Sequence, residues 1–290
     1  MLKKKYPQIN LLYKDDNTGP ADTRNVALKI AKGKYIAIMD ADDSSLSERI
    51  EKQVSFMEKN LDVGVLGTTC LIIDKNLMIQ PQLVHDKLKI GFLFGNQLSH
   101  PSVMIRSNVL LGLNSIYNKS FVPAEDYELW IRLLNKTFFA NLKDELVLYR
   151  LHGNNISKTR KNIETENTIN FCYWRVFDKT ISEFNIINLK KLMKRQYLEL
   201  STQEKLVLIQ EIVRLIRSNK VSAFFNVKYF EVLMLNLLST LTTKTSKKEL
   251  VKMCLEEGII LYYCLRARII ANNKFDFYQC EWRKKISRSY

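Results

Sequence analysis

The sequence is poor in residues that interrupt regular structure, with 9 Gly and 5 Pro among 290 residues. Because 46% of its residues are hydrophobic, we predict an ordered globular protein without long flexible linkers. Histidine is also scarce, with three residues, and the five cysteines form no Cys-x-x-Cys pair, which argues against a zinc site. Scattered cysteines in odd number are typical of thiols in a reducing compartment.

Long apolar segments are absent too. No uninterrupted apolar run approaches the ~20 residues that a membrane-spanning helix needs. The basic start MLKKKYPQIN is not followed by an apolar run. A secretory signal has such a run after its basic residues. We therefore expect a cytoplasmic protein, with peripheral contact at the inner membrane face as a second interpretation.

Positive charge is concentrated in the second part of the sequence, and the formal net charge is +15. Residues 1–155 carry 20 Lys and Arg against 17 Asp and Glu, a balance of +3, whereas residues 156–290 carry 25 against 13, a balance of +12. A nearly neutral region suits an enzyme domain. A basic region suits an anionic surface such as lipid headgroups, nucleic acid or an acidic partner.

Strand and helix patterns alternate in residues 1–155. A continuous apolar run at Tyr35–Met39 predicts a strand that is buried on both faces. Further strands are predicted at Ile9–Tyr13, Val63–Ile73 and Val147–Leu151 and near His100–Ile105, with helices at Ala21–Lys32, Leu46–Lys59 and Glu125–Leu134. This alternation predicts an α/β domain with a largely parallel sheet.

Residues 156–290 have helical patterns instead, so we divide the chain into a domain at 1–155 and a basic, all-α region at 156–290. The predicted helices are Ile163–Phe177, Leu189–Leu200, Gln203–Arg217, Lys228–Leu241 and Leu250–Ile270.

Two apolar stripes in this region have helical spacing, with Lys and Arg between and after them: Leu206, Ile209, Val213 and Ile216, and Leu233, Leu237 and Leu241. Such helices either lie in a membrane interface or pack together with a solvated basic face, and we favour the second interpretation. Nucleic acid is not an expected partner, because the region has no basic strand interleaved with aromatics and no zinc finger.

Three acids follow the apolar run in KYIAIMDADD, and ligands of open α/β sheets collect at such carboxyl ends of strands. Two carboxylates separated by one residue can share a divalent cation through oxygen ligands. Asp42, Asp43 and Ser44 could instead cap the next helix. For Asp43 and Ser44 this is at least as good an interpretation. For Asp40 and Asp42 we favour the metal, since acids that end an apolar strand need a partner.

Four segments carry a resemblance to a known family. NTGPADTRNVALKIAKGKYIAIMDADD resembles the second half of the nucleotide-binding region of inverting family 2 glycosyltransferases. In that family Gly-x-x-x-x-Arg-Asn opens a helix, and Gly-Lys-Tyr leads into a strand that ends in Asp-x-Asp. HPSVMIR at 100–106, EDYELWIRL at 125–133 and YRLHGNNIS at 149–157 follow in the family's order across about half the chain. The resemblance implies a Rossmann-like sheet of the GT-A type.

The resemblance also implies roles for individual residues. Asp42 would bind Mg²⁺ or Mn²⁺ on the donor diphosphate, Asp40 would hold the donor ribose or the metal shell, and Arg24 would contact the nucleotide. Asp126 would be the general base for the acceptor hydroxyl, and His152 would lie near the donor phosphates. An aligned carboxylate helps an alcohol to attack, and a divalent metal neutralises the leaving diphosphate. Direct in-line attack would invert the anomeric carbon.

Other interpretations of these residues stay open. Asp126 also fits an acid favoured by the dipole at a helix N-terminus, and Glu125 is an equal rival for the base. His100 could be a core histidine, and Trp130 is better explained as a packing residue than as a platform for a sugar.

The resemblance predicts a metal-dependent, inverting glycosyltransferase. Its donor would be a nucleotide sugar, most simply a UDP-sugar, and its acceptor a hydroxyl of a surface polysaccharide or lipid-linked glycan. Family members usually begin with a strand like V-S-V-I-I-P-x-Y-N, which nothing here matches, so we expect roughly one βαβ unit to be missing and a sheet edge to be uncovered. The alternative is a catalytically inactive remnant or scaffold bound to a membrane or a partner.

Overall fold

The computed structural model describes residues 2–73, 77–80, 84–151, 163–194, 196–243, 245, 248, 250–251, 258–271 and 281–284. The described strands are β1 Tyr35–Ala37, β2 Ser44–Ser45, β3 Val63–Ile72, β4 Leu77–Gln80, β5 Met104–Arg106, β6 Phe138–Tyr149 and β7 Glu281–Lys284. The first five helices are α1 Leu2–Lys5, α2 Pro20–Ile30, α3 Arg49–Lys59, α4 His85–Gly91 and α5 Glu125–Leu133. The later helices are α6 Ile163–Phe177, α7 Glu183–Met193, α8 Thr202–Ser222, α9 Val227–Thr243 and α10 Gly258–Ala271.

The sheet is mixed, with strand order β1-β5-β3-β4-β7, and β6 pairs with both β3 and β2. The long pairing of β3 with β6 is parallel, from Val63 opposite Phe138 to Ile72 opposite Tyr149. All other pairings between described strands are antiparallel. The prediction of a largely parallel sheet is therefore wrong. The reason is that β4 returns beside β3 and that β5 inserts between β1 and β3, which a strand–helix alternation does not reveal.

Strand β1 lies at an edge of the sheet rather than in its interior. Tyr35 and Ile36 are half-buried and Ala37 is exposed, so the predicted strand with both faces buried is wrong. Ile38 is buried and its amide donates to the Val103 carbonyl at 2.8 Å. The apolar run thus continues past the strand into a segment that packs against the chain ahead of β5. The predicted strand at Ile9–Tyr13 is not formed.

The acidic turn after β1 does not cap the following helix. Ser44 and Ser45 form β2, which pairs with Leu148 and Val147 of β6. Helix α3 begins only at Arg49, after Glu48. The capping interpretation of Asp42, Asp43 and Ser44 is therefore wrong, because four residues separate the last of these acids from the helix N-cap region.

The hydrophobic core continues from the sheet region, residues 1–155, into the helical region, residues 156–290. The Trp174 indole of α6 donates to the Leu93 carbonyl at 3.1 Å, and the Tyr173 hydroxyl donates to the Lys89 carbonyl at 3.2 Å. Trp130 of α5 and Trp174 are both fully buried in the same cluster. The packing role predicted for Trp130 is confirmed. The helical region is thus anchored on the side of the sheet region that carries α4 and α5.

The apolar stripes of the helical region face inward. Ile209, Val213 and Ile216 of α8 are buried, as are Leu233, Leu237 and Leu241 of α9, and Leu206 is partly buried against the same core. Helix α8 begins with a capping box in which Ser201 and Glu204 satisfy each other's backbone amides. The packed-helix interpretation is confirmed for these positions, and the region also contributes β7, which pairs with β4.

Among the described residues, no helix combines the length and the apolar character that crossing a bilayer requires.

Candidate active site

Arg24 connects two distant segments of the sequence. Helix α2 begins at Pro20, after Gly19 has turned the chain with a φ of 87°, a conformation that favours glycine. The Arg24 Nη1 donates to Glu125 Oε1 at 2.8 Å and its Nη2 donates to Asp40 Oδ1 at 2.9 Å. One guanidinium therefore bridges the end of the β1 segment and the first turn of α5.

The neighbouring residue Asn25 fixes α2 to the chain that passes beside it. Its amide nitrogen donates to the Tyr117 carbonyl at 2.7 Å, and its oxygen accepts from the Tyr117 amide at 2.8 Å. The Tyr117 ring lies under Arg24, 5.7 Å from the guanidinium carbon, and its hydroxyl lies 2.9 Å from His100 Nε2. Arg24 therefore binds two carboxylates, whereas Asn25 binds the backbone of Tyr117.

His100 is a core residue. It is buried beside Tyr117 and Trp130, and burial together with the nearby Arg24 charge lowers its pKa well below the usual range. The core interpretation of His100 is confirmed. A neutral imidazole here completes the packing beneath the Arg24 cluster.

Asp126 stands at the N-terminus of α5, next to Glu125. Its Oδ2 accepts from Asn96 Nδ2 at 2.8 Å and its Oδ1 accepts from the Tyr127 amide at 2.7 Å. The residue is half-buried by surface exposure, yet protein atoms crowd its carboxylate. This burial, with the adjacent Glu125 charge, raises the pKa of Asp126 to about 7. A carboxylate with a pKa near neutrality has the properties of a general base.

Glu125 has different surroundings from its neighbour. It is only 4% exposed, its Oε1 pairs with Arg24, and its Oε2 has no hydrogen bond within the described part of the chain. The two rivals for the base therefore differ in their contacts: Glu125 is an ion-pair partner of Arg24, whereas Asp126 is held by neutral donors.

The acidic turn after β1 is closed by the end of β6. The Arg150 amide donates to Asp43 Oδ1 at 2.9 Å, and the Arg150 Nε donates to the Asp42 carbonyl at 3.1 Å. Burial, together with the Asp42 and Asp40 charges, raises the pKa of Asp43 to about 6, although the Arg150 contacts act in the opposite direction. Asp43 Oδ2 is buried with no hydrogen-bond partner among the described residues. The sequence interpretation held a cap to be at least as good as a functional role for Asp43, and it gave Arg150 no role.

The oxygen donors of this turn suit a hard cation. In the described residues no group of three or more His, Cys, Asp or Glu side chains converges on one point. Mg²⁺ is usually held by one or two carboxylates together with substrate phosphates, so a full protein cage is not needed. The unsatisfied Asp43 oxygen shows that the turn has spare acceptor capacity. His152 lies outside the described residues.

Comparison with known proteins identifies the family. The model described as Glycosyl transferase family 2 matches residues 1–120. An uncharacterized glycosyltransferase of Methanocaldococcus jannaschii is 33% identical over 196 residues, which cover 60% of this chain and 67% of that protein. The chain belongs to glycosyl transferase family 2. This membership and the mixed sheet confirm the predicted GT-A-type α/β fold with a helical C-terminal region.

This family 2 chain is also similar to two Escherichia coli proteins. The UDP-Glc:alpha-D-GlcNAc-diphosphoundecaprenol beta-1,3-glucosyltransferase WfaP is 33% identical over 147 residues, 49% of this chain and 55% of that protein. The O-antigen biosynthesis glycosyltransferase WbnJ is 35% identical over 141 residues, 47% of this chain and 54% of that protein. The matches span between about half and two thirds of the length of these relatives.

Among solved structures, S. aureus TarS 1-349 in complex with UDP-GlcNAc aligns with 89% of this family 2 chain and 78% of that chain. The identity is 16% and the TM-score 0.47.

Proposed function

We propose that this chain is a metal-dependent, inverting glycosyltransferase that moves a sugar from a UDP-sugar to a hydroxyl of a surface-polysaccharide or lipid-linked acceptor. The observation that carries the proposal is the Arg24 bridge. Its contacts of 2.9 Å to Asp40 and 2.8 Å to Glu125 bring the acidic turn and the N-terminus of α5 next to each other. A donor diphosphate and an attacking hydroxyl have to be held in such proximity to react.

In this proposal Asp126 is the general base. An alcohol is a poor nucleophile, so a carboxylate that takes its proton during attack lowers the barrier. The hydroxyl oxygen forms the new bond to the anomeric carbon while the bond to the UDP oxygen breaks and the proton passes to Asp126. Attack opposite the leaving group inverts the anomeric configuration. The raised pKa of Asp126 supports this role, because a carboxylate at its usual pKa would be a weaker base.

Asp42 and Asp40 would hold Mg²⁺ or Mn²⁺ at the acidic turn, and the cation would neutralise charge on the departing diphosphate. Since Arg24 already partners Asp40, we assign Asp42 as the main ligand and Asp40 as the residue that orients Arg24 and the ribose. Arg24 retains N–H groups beyond its two carboxylate contacts for the nucleotide. His152 stays a predicted contact of the donor phosphates.

The names of the relatives support the substrate classes. One E. coli relative is named for UDP-Glc and a diphosphoundecaprenol-linked sugar, and another for O-antigen biosynthesis. We therefore propose a UDP-sugar donor and an acceptor on a lipid diphosphate or a growing polysaccharide. Such an acceptor would bring the protein to the inner face of the membrane.

Transfer assays test this proposal. The protein is incubated with a panel of UDP-sugars, Mn²⁺ or Mg²⁺, and a diphospholipid-linked GlcNAc acceptor, and both UDP release and product are measured. Asp42→Asn should reduce transfer at least about a hundredfold, as expected for loss of metal stabilisation of the leaving group. Asp144→Asn is the matched control, because Asp144 pairs with Lys52 at 2.6 Å on the exposed surface.

The scaffold alternative predicts a different result from the same assay. If UDP and Mn²⁺ bind but no UDP-sugar is transferred or hydrolysed, the chain keeps the fold without turnover. Transfer that is unaffected by both Asp42→Asn and removal of divalent metal would contradict the metal assignment.

A further inference from the structure

A half-buried amide faces the carboxylate of Asp126 from a loop that follows α4. The Asn96 Nδ2 donates to Asp126 Oδ2 at 2.8 Å. The other end of the same amide is also engaged, because Asn96 Oδ1 accepts from the Leu98 backbone amide at 3.1 Å. These two contacts fix the orientation of the amide, since the backbone N–H requires the oxygen on its side. The NH₂ group is therefore the end that faces Asp126.

The loop that carries Asn96 is held in place by hydrogen bonds from side chains. Gln97 Nε2 donates to the Gly91 carbonyl at 3.1 Å and to the Gly95 carbonyl at 3.0 Å, which ties the loop to the end of α4. The Tyr127 hydroxyl of α5 donates to the Phe92 carbonyl, and the Trp174 indole reaches the Leu93 carbonyl. The donor is thus held by both α5 and the helical region.

We propose that Asn96 is a positioning residue of the transfer reaction, which fixes the plane of the Asp126 carboxylate and stabilises its ionised form. This inference rests on the proposed role of Asp126 as the base. One Oδ atom of Asp126 is engaged by the Tyr127 amide and the other by Asn96, and each carboxylate oxygen keeps a second lone pair. The two donors leave those lone pairs in a defined direction for the proton of the acceptor hydroxyl.

The charges around Asp126 determine how the Asn96 hydrogen bond affects the pKa of Asp126. Glu125 and burial disfavour the ionised form, whereas Arg24, the Tyr127 amide and the Asn96 amide favour it, and Tyr117 faces the same cluster. Removal of the Asn96 donor leaves Glu125, Arg24 and Tyr117 unchanged, so the pKa of Asp126 should rise from about 7. The base would then be protonated at neutral pH, and transfer would recover in more alkaline solution.

Two variants separate this role from the turn that Asn96 also makes. Asn96→Asp keeps the oxygen that accepts from Leu98 but replaces the donor with a second acid, whereas Asn96→Ala loses both contacts. Both should move the acid limb of kcat/KM to higher pH and reduce kcat at pH 7 about ten- to a hundredfold, the size of one hydrogen bond to a charged group. The donor KM should stay unchanged. Asn118→Ala is the matched control, because Asn118 accepts from the Ser120 amide at 3.0 Å in a similar turn on the surface.

Direct titration makes the test independent of turnover. The pKa of Asp126 is read from its carboxyl ¹³C shift in protein labelled at Asp, with Asp126→Asn for assignment. A pKa that rises in both Asn96 variants together with the acid limb supports the inference. A pKa and an acid limb that both stay at their wild-type positions would overturn it, while leaving Asp126 as the base. Failure of the proposed function is recognised separately, as wild-type transfer by Asp126→Asn.

Discussion

Acidic side chains are arranged differently in the two parts of the chain. In the helical region Asp178 and Glu211 both pair with Arg214, at 2.7 and 2.6 Å, and Glu231 pairs with Lys220 and Arg266. In the sheet region Asp126 has no cation in hydrogen-bond contact, and Asp43 and Glu125 each leave one buried oxygen without a hydrogen bond within the described residues. These three acids of the helical region are matched by cations, whereas Asp43, Glu125 and Asp126 keep spare acceptor capacity, even though one oxygen of Glu125 pairs with Arg24.

This contrast distinguishes charges that stabilise the fold from charges that serve chemistry. A buried acid that pairs with a cation contributes to stability, and its removal leaves that cation without its partner. A buried acid with a raised pKa or an unmet oxygen destabilises the folded protein, so its presence indicates a ligand or a reaction. The same kind of substitution in each region tests the difference.

The largest effect is expected for the acids themselves. Asp126→Asn should lower kcat about 10²- to 10⁴-fold, the usual contribution of a general base, with UDP-sugar binding retained. Asp178→Asn should instead reduce the free energy of unfolding by about 1–2 kcal/mol, because the charge that pairs with Arg214 and accepts from Thr180 is lost. Transfer assays and urea unfolding of both variants measure the two effects. Equal losses of activity in both would remove the distinction between the regions.

The cations provide the second comparison. Arg24→Met leaves Asp40 and the buried Glu125 without their partner, and kcat/KM should fall about ten- to a hundredfold. Arg214→Met, on a side chain that is 39% exposed, should cost only stability, about 1 kcal/mol after solvent screening. Steady-state kinetics and thermal unfolding check both. An Arg24→Met enzyme with normal kinetics would mean that the bridge is only structural.

The pH dependence is the third comparison. Because transfer needs the ionised base, kcat/KM should fall about tenfold per pH unit below an apparent pKa near 7, the value that burial gives Asp126. The pKa in the folded protein lies above the ordinary value of 3.8, so the folded state binds the extra proton more tightly. Relative to Asp126→Asn, the wild type should therefore lose stability as the pH rises from about 4 to 7. A stability difference that is constant over this range would contradict the raised pKa.

How much of this could be predicted from the sequence depends on the range of the interaction. The helix Ile163–Phe177 was predicted with the bounds that the structure has, because helical periodicity is a local property. The direction of the strands was not predicted correctly, since the place of β5 between β1 and β3 depends on pairings between segments that are far apart in the chain. Apolar continuity at Tyr35–Met39 was mistaken for an interior strand because Ile38 is buried beyond the end of the strand, where its amide donates to the Val103 carbonyl.

The site residues that lie in recognisable motifs could be predicted from the sequence. Asp40 and Arg24 were recognised from their motif, and the structure brings them into contact with each other and with the start of α5. Asn96 was missed and Arg150 was given no role, because the contacts of each come from a loop or a strand end that is distant in sequence from the acids they hold. An amide in a loop becomes informative only when the fold shows which carboxylate it faces.

The smallest effect concerns the outer surface of the helical region. Its apolar stripes are buried, so contact with a membrane, which stays a prediction, would depend on exposed basic side chains. The net charge of +12 over residues 156–290 then predicts weak binding to vesicles of phosphatidylglycerol at low salt, which disappears at physiological ionic strength. Sedimentation with anionic and with neutral vesicles measures this. Equal binding to both kinds of vesicle would contradict the electrostatic origin.

The proximity of the acidic turn to the Asp126 carboxylate is tested most directly by a crystal structure of the protein with UDP and Mn²⁺. We predict an anomalous Mn²⁺ peak at the Asp42 carboxylate, with the diphosphate beside Arg24. Open space for a sugar should remain between the diphosphate and Asp126. A Mn²⁺–UDP complex bound away from the Asp40–Asp43 turn, or Asp126 facing a different side of the molecule from the diphosphate, would contradict it.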